Sequence, residues 1–257
     1  MSDPTTARTT TPAAAQATTP ATASTAASVA IIIPAAGFGT RMGQGIAKQF
    51  ITVRGKTILA RTVDKMQLWA KHYQHNTVIM VALSQGVVLP ADVVGVHTCL
   101  GGKERADSVA NALAAVADLA DKGKLSTTPK WAMVHDAARP LVSIEDIEKL
   151  YQTLKYDKVG GILAEKITAT VKRAEGQIIT ATVPREDLWL AQTPQLFRFA
   201  LLRQSLQQSL QARRDHLTGD PPTDEASAIE AMGLEVKIIE GSRYNIKITV
   251  PEDLLFC

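Results

Sequence analysis

Apolar runs with no polar interruption alternate with stretches of helical period along most of this chain, and that alternation most narrows what it can fold into. Thr77-Val-Ile-Met-Val-Ala-Leu83 is an unbroken apolar strand of the kind buried on both faces. Val29-Ala-Ile-Ile-Ile33 and Trp131-Ala-Met-Val-His-Asp136 also read as strands, and Gly160-Gly-Ile-Leu-Ala164 opens another. Between them, Ile58, Leu59, Val63, Met66, Trp69 and Tyr73 fall at helical spacing, and helices are expected over Arg105 to about Lys122 and over Ile144 to Leu154. Strands alternating with helices predict a mainly parallel sheet covered on both faces. Towards the C-terminus the pattern predicts a helix from Gln195 to about Arg214 and a second helix opening at Thr223-Asp-Glu-Ala-Ser, capped by a hydroxyl or carboxylate. Two last strands are expected, Glu235–Glu240 and Asn245–Thr249.

One region breaks the rhythm. From about 165 to 186, two β-prone runs flank Gly176 and read as a hairpin, which either pairs with a partner subunit or folds back on its own domain. Residues 1–28 also differ in kind. They are almost entirely Thr, Ala, Ser and Pro, with Asp3 and Arg8 their only charged side chains, so they are expected to form a disordered tail. An organellar transit peptide would be poor in acids too, but one arginine and no amphipathic pattern favour a plain tail over plastid targeting. The remaining residues, 29–257, suit one substantial domain.

Composition excludes several classes. A net charge of +3, with no basic block interleaved with aromatics, argues against nucleic acid as a partner. No run approaches the roughly 18 apolar residues of a membrane span. Cys99 and Cys257 have no metal or redox spacing, which favours a reduced, cytoplasmic setting. There is no Gly-x-Ser-x-Gly elbow, no His-Glu-x-x-His and no His/Cys cluster.

The chemistry collects where strands end. Val29–Ile33 runs into Pro34-Ala-Ala-Gly-Phe-Gly-Thr-Arg-Met-Gly43, followed by Lys48-Gln-Phe. Ala35, Ala36, Gly37 and Gly39 let backbone N–H groups approach an anion, and Arg41 and Lys48 add two cations. A dinucleotide fingerprint fits poorly, because the third glycine comes one place late and Asp64, the one acid at ribose spacing, lies within a helix. A P-loop fits no better, since Gln44 follows Gly43, and a ligand-free tight turn stays open. Gly101-Gly-Lys-Glu-Arg-Ala-Asp-Ser108 leads into a helix N-terminus, where Ser108 either meets a ligand or belongs to the helix alone. His135-Asp-Ala-Ala-Arg-Pro140 follows a buried strand. Asp136 there is placed to hold Mg²⁺ on a triphosphate and Arg139 to fork a phosphate, or the two form a surface pair. His135 should point the other way and be structural. Lys247, inside Asn245-Ile-Lys-Ile-Thr249, is either solvated or at the same carboxyl edge. What remains is phosphate chemistry driven by cations and a metal.

These blocks, with Leu188-Trp-Leu-Ala-Gln-Thr-Pro-Gln-Leu-Phe197, Thr223-Asp-Glu-Ala-Ser and Asn245-Ile-Lys-Ile-Thr-Val-Pro-Glu-Asp-Leu254, resemble the 2-C-methyl-D-erythritol 4-phosphate cytidylyltransferases of isoprenoid precursor synthesis, in order and over residues 29 to 254. The resemblance implies a three-layer, Rossmann-like, mainly parallel α/β sheet of nucleotidyltransferase type with a protruding β-hairpin dimerisation arm. It implies CMP transfer from CTP to methylerythritol phosphate, Mg²⁺ or another divalent ion held at Asp136, and a homodimer. Arg41 and Lys48 would stabilise the transition state and Lys247 would help hold the phosphates. Ala35, Ala36, Gly37, Gly39, Gly102, Ser108 and Asp136 would form the CTP site. Arg139, Thr170 and Arg185 would receive the methylerythritol phosphate, the last two reaching a neighbouring subunit. The alternatives are a ribitol- or other pentitol-phosphate cytidylyltransferase and a non-catalytic nucleotide-binding homologue. Three departures stand out. Ala47 replaces a proline before Lys48, Lys103 replaces an acid after the glycine pair, and Cys257 falls where relatives continue into a helix.

Overall fold

Along β1 (Val29–Pro34), alternate side chains enter two different cores. Val29, Ile31 and Ile33 point to one face and Ala30 and Ile32 to the other, all fully buried. A computed structural model describes residues 29–37, 47–215 and 222–257 of the chain. The tail 1–28, with Gly39 and Arg41 among the site residues, lies outside the described residues.

After β1 the chain forms a 3₁₀ turn at Lys48–Phe50, a small ribbon of β2 (Thr52–Val53) and β3 (Lys56–Thr57), and helix α1 (Ile58–His72). Then follow β4 (Thr77–Leu83), β5 (His97–Leu100), α2 (Arg105–Asp121), β6 (Trp131–Val134), α3 (Ile144–Leu154) and β7 (Gly160–Lys166). The hairpin β8 (Val171–Glu175) and β9 (Ile178–Val183) comes next, then β10 (Trp189–Arg198), α4 (Phe199–Arg214), α5 (Glu225–Glu230), β11 (Lys237–Glu240) and a 3₁₀ turn at Pro251–Phe256. Seven strands form one sheet in the order β11-β7-β10-β6-β1-β4-β5. Only β10 runs antiparallel to its neighbours. Helices α1 and α3 cover one face, packing Leu59, Met66, Trp69, Ile147 and Leu150 on Ile31 and Ile33. Helices α2, α4 and α5 cover the other, with Val109, Leu113, Leu202, Leu206 and Ile229 against Ala30 and Ile32. Each such aliphatic side chain contributes about 1.5–3 kcal/mol by burial. The three-layer, mainly parallel sheet expected from the alternation is therefore present.

Local chemistry sets the helix starts. Thr57 caps α1 by accepting from the Ala60 N–H at 3.1 Å, and Ser143 caps α3 from the Asp146 N–H at 3.0 Å. At α5 the cap is the Asp224 carboxylate, which accepts from the Ser227 N–H at 2.9 Å.

Two expectations need correction. Gln195 does not open a helix; it lies within β10, and α4 begins only at Phe199. The polar Gln192, Thr193 and Gln195 disguise the strand, yet all three are buried because each finds a partner. Asn245–Thr249 is not a strand either. It is irregular chain joined to Ala138 by the Ile248 N–H at 2.8 Å. Its alternation correctly marked a one-sided burial, because Ile246 and Ile248 pack with Ile58, Ala138 and Cys257, but the surface they cover is not a sheet edge. The strand β5 was missed altogether, its short edge position leaving it mostly exposed. No helix among the described residues is long and apolar enough to cross a membrane.

Candidate active site

Strands β1, β4, β5 and β6 end on the same side, and the chain crosses from one flank of β1 to the other between β4 and β6. A doubly wound sheet opens its binding crevice at such a switch point. A cleft of about 260 Å³ lies there, walled by Ala35–Gly37, Lys48, Gly102, Ser108, Asp136 and Lys247.

The wall after β1 is held rigid by its own carbonyls. Gln49 is buried and donates to the Ala35 and Gly37 oxygens, both at 2.8 Å, and Ser84 Oγ donates to the Ala36 oxygen at 2.6 Å. Opposite stands the glycine pair. A Cβ on Gly101 would come within 2.5 Å of the Ala36 Cβ, and one on Gly102 would collide with Asp107, so only glycine allows the two walls this close. Ser108 serves this loop: its Oγ accepts from the Gly102 N–H at 3.0 Å and donates to the Glu104 carbonyl at 3.1 Å. It belongs to the helix and lines the cleft as well.

At the floor, Asp136 ends the β6 run and is buried, not a surface residue paired with Arg139. Its Oδ1 accepts from Arg105 Nε at 3.0 Å, and its Oδ2 meets Lys247 Nζ at 2.8 Å and Arg139 Nε at 3.6 Å. Burial alone would raise the Asp136 pKa, but Arg105, Lys247 and Arg139 outweigh it and hold the carboxyl far below its usual range. Lys48 Nζ donates to the Ile248 carbonyl at 2.7 Å, which sets it on the peptide next to Lys247. Ala47 has φ −61°, an angle that proline would also take, so the departure there leaves the backbone in the proline-compatible form. His135 faces away, as alternation predicted. Its Nε2–H donates to the Arg139 carbonyl and its Nδ1 accepts from Thr193 Oγ, both at 3.0 Å, while burial pushes its pKa down to about 4.

Residues 29–257 match the family described as 2-C-methyl-D-erythritol 4-phosphate cytidylyltransferase. This chain belongs to that family. The protein of that name from Pseudoalteromonas translucida is 47% identical over 233 residues, 88% of each chain. The one from Pectobacterium atrosepticum is 41% identical over 242 residues, covering 88% of this chain and 91% of the relative. Among solved structures, the Francisella tularensis cytidylyltransferase superposes with a TM-score of 0.68 at 35% identity, over 90% of this chain and 98% of that one.

Of the residues assigned by resemblance to the cytidylyltransferases, Ala35, Ala36, Gly37, Lys48, Gly102, Ser108, Asp136 and Lys247 come together around the cleft. Arg139 adjoins it through Asp136, while its other two nitrogens donate to the Asn245 carbonyl at 2.6 Å and the Ala191 carbonyl at 3.4 Å. Thr170 and Arg185 are exposed at the root of the β8–β9 hairpin, beside the paired Val171 and Val183, and do not line this chain's cleft. Asp136 offers a metal one carboxylate whose oxygens also meet Arg105 and Lys247, so a magnesium ion there would share it with Lys247 and take its other ligands from phosphate oxygens and water.

Sequence reasoning passed over four contributors. Gln49, Thr193 and Asn245 carry no chemical signature in their local sequence, and their partners lie elsewhere in the chain. Arg105 sits in the cleft wall and binds Glu225 from 120 residues away. No local pattern announces a pairing of that range.

Proposed function

We propose that this chain catalyses its family's reaction at the described cleft: CTP and methylerythritol 4-phosphate give 4-diphosphocytidyl-methylerythritol and pyrophosphate, in isoprenoid precursor synthesis. The observation that carries this reading is the seating of Lys48 and Lys247 on one short segment, beside a buried Asp136 and facing the loop after β1. A binding module has no need of one lysine fixed against a buried carboxylate at a strand end and a second seated on the neighbouring peptide.

The substrate phosphate oxygen attacks the α-phosphorus of CTP and pyrophosphate leaves. Charge grows on the equatorial oxygens and on the leaving group, and preset cations stabilise it without reorganising. Lys48 takes this role together with Arg41, and Lys247 holds the phosphates. Ala35, Ala36, Gly37, Gly39, Gly102 and Ser108 receive the nucleotide, their small side chains letting the backbone approach it closely. Asp136 would hold magnesium, which when bound neutralises charge on the triphosphate. Arg139 receives the methylerythritol phosphate with Thr170 and Arg185, the latter two supplied by the arm of a second subunit in a homodimer. The catalytic unit covers 29–257 with the tail 1–28 outside it. Its relatives are bacterial, which favours a cytoplasmic enzyme.

Pyrophosphate release tests the assignment. With CTP and Mg²⁺, methylerythritol 4-phosphate is expected to be used in strong preference to ribitol 5-phosphate. Preference for ribitol phosphate would move the chain to pentitol-phosphate transfer, and no release with either acceptor would leave a binding protein.

A further inference from the structure

Arg105 lies in the first turn of α2, and Glu225 opens α5 on the same face of the sheet. Two guanidinium nitrogens of Arg105 donate to Glu225 Oε1 at 2.7 Å and Oε2 at 3.1 Å, while Nε donates to Asp136 Oδ1 at 3.0 Å. Glu225 is only 1% exposed, and both its oxygens accept, as an ionised carboxylate's do. From core to cleft the charges run Glu225, Arg105, Asp136, Lys247.

We propose that the Arg105–Glu225 pair is a positioning device for the transfer reaction: Glu225 clamps the guanidinium, whose Nε pins Oδ1 of Asp136 and so keeps Oδ2 turned to Lys247. The inference rests on the transferase reading above. Stability alone is a poor reason for such a pair, since well-packed apolar residues of similar volume often hold a buried site as well. The geometry uses what only arginine has. Two prongs engage one carboxylate and leave the Nε edge for a second, which an ammonium cannot reproduce. Arg139 does not take over, because it approaches Asp136 on Oδ2 and its other two nitrogens point to the Asn245 and Ala191 carbonyls, away from Oδ1. Without Arg105 the carboxylate can rotate, and Lys247 loses the fixed partner that aims it.

The experiment compares Arg105→Met, Glu225→Gln, the double variant and Arg105→Lys with the wild type in melting temperature, kcat and KM for CTP. Each neutralising single variant strands a buried charge, so its melting temperature is expected to fall, and the double variant should recover most of that loss. Its kcat should not recover. A deficit of about 10- to 100-fold is expected with KM for CTP changed less than about threefold, because a misaimed group costs the transition state more than the ground state. Arg105→Lys should keep the fold and share the kcat defect. A stable double variant with kcat close to wild type overturns the inference, as does a loss carried wholly in KM. If the double variant does not fold, an Arg105→Lys variant with wild-type kcat overturns it equally. An inactive wild type removes the functional reading and this inference with it, whereas an active wild type with unaffected variants removes the inference alone.

Discussion

The cleft and the arm of this molecule invert the usual placement of residues in opposite ways, polar groups inside the one and apolar groups outside the other. Around the cleft, polar side chains are buried and interlocked: Asp136 between Arg105 and Lys247, Gln49 across two carbonyls, Thr193 between the Asp136 N–H and His135. In the arm, β8 and β9 pair only with each other among the described residues, and apolar side chains lie open, with Ile178 74% and Ile179 62% exposed. A lone two-stranded hairpin is marginally stable in water. The cleft therefore has its own rigidity within one chain, whereas the arm has backbone order without a core of its own.

That contrast can be broken, and the largest effect is expected at the cleft. Lys48→Ala should lower kcat by about a thousandfold with CTP affinity little changed, since a preset cation acts chiefly on charge that appears in the transition state. Steady-state kinetics beside nucleotide titration check this, and equal losses in both would reduce Lys48 to a binding group.

Next in size is an acid sensitivity confined to the cleft side. The Asp136 N–H donates to Thr193 Oγ, whose own proton goes to His135 Nδ1, so a second ring proton has no acceptor there. With the folded pKa of His135 pushed down to about 4 by burial and the unfolded value near 6.5, the neutral ring's contribution is complete above about pH 6.5 and is lost as pH falls through about 4. The loss amounts to ~3 kcal/mol, about a hundredfold in the folding equilibrium. Denaturant unfolding at pH 7, 5.5 and 4.5 should show it, and a flat profile would contradict the buried neutral ring. The hairpin 171–183 contains no histidine and should not share this dependence.

The smallest effect belongs to the arm. Thr170→Ala and Arg185→Ala should raise KM for methylerythritol phosphate about tenfold, leaving CTP binding and the melting temperature unchanged, because both side chains are exposed in the single chain. At methylerythritol phosphate well below the arm variant's KM, mixing an arm variant with Lys48→Ala should give more activity than the two variants assayed apart, because a mixed dimer carries one site with both the native arm and Lys48. A mixture whose activity is only the sum of the two would confine the whole site to one chain and end the contrast.

Much of the frame could be read along the chain. The unbroken apolar runs became the parallel strands β1, β4, β6 and β7, and the breaks at Pro34, Gly101-Gly102 and Asp136 fell at one edge because parallel strands end together. The misreadings share a cause. Gln192, Thr193 and Gln195 look too polar for a buried strand, and Asn245–Thr249 looks like a strand, because local pattern records what a side chain prefers and not what it meets. Gln195 donates to Asp224 at 2.9 Å and accepts from the Ala226 N–H at 3.0 Å, partners about thirty residues on.

The sequence by itself determined the layered sheet, the glycine loops and the family, because periodicity and short motifs are properties of neighbours in the chain. The tertiary structure alone decided how the charges are shared. Glu225 looked like a helix-opening acid and proved to be the buried anchor of Arg105, and Asp136 proved to be met by three cations. A buried charge needs a partner wherever the fold can bring one. Glu225 with Arg105 and Asp136 with Lys247 meet across more than a hundred residues and leave no period to read.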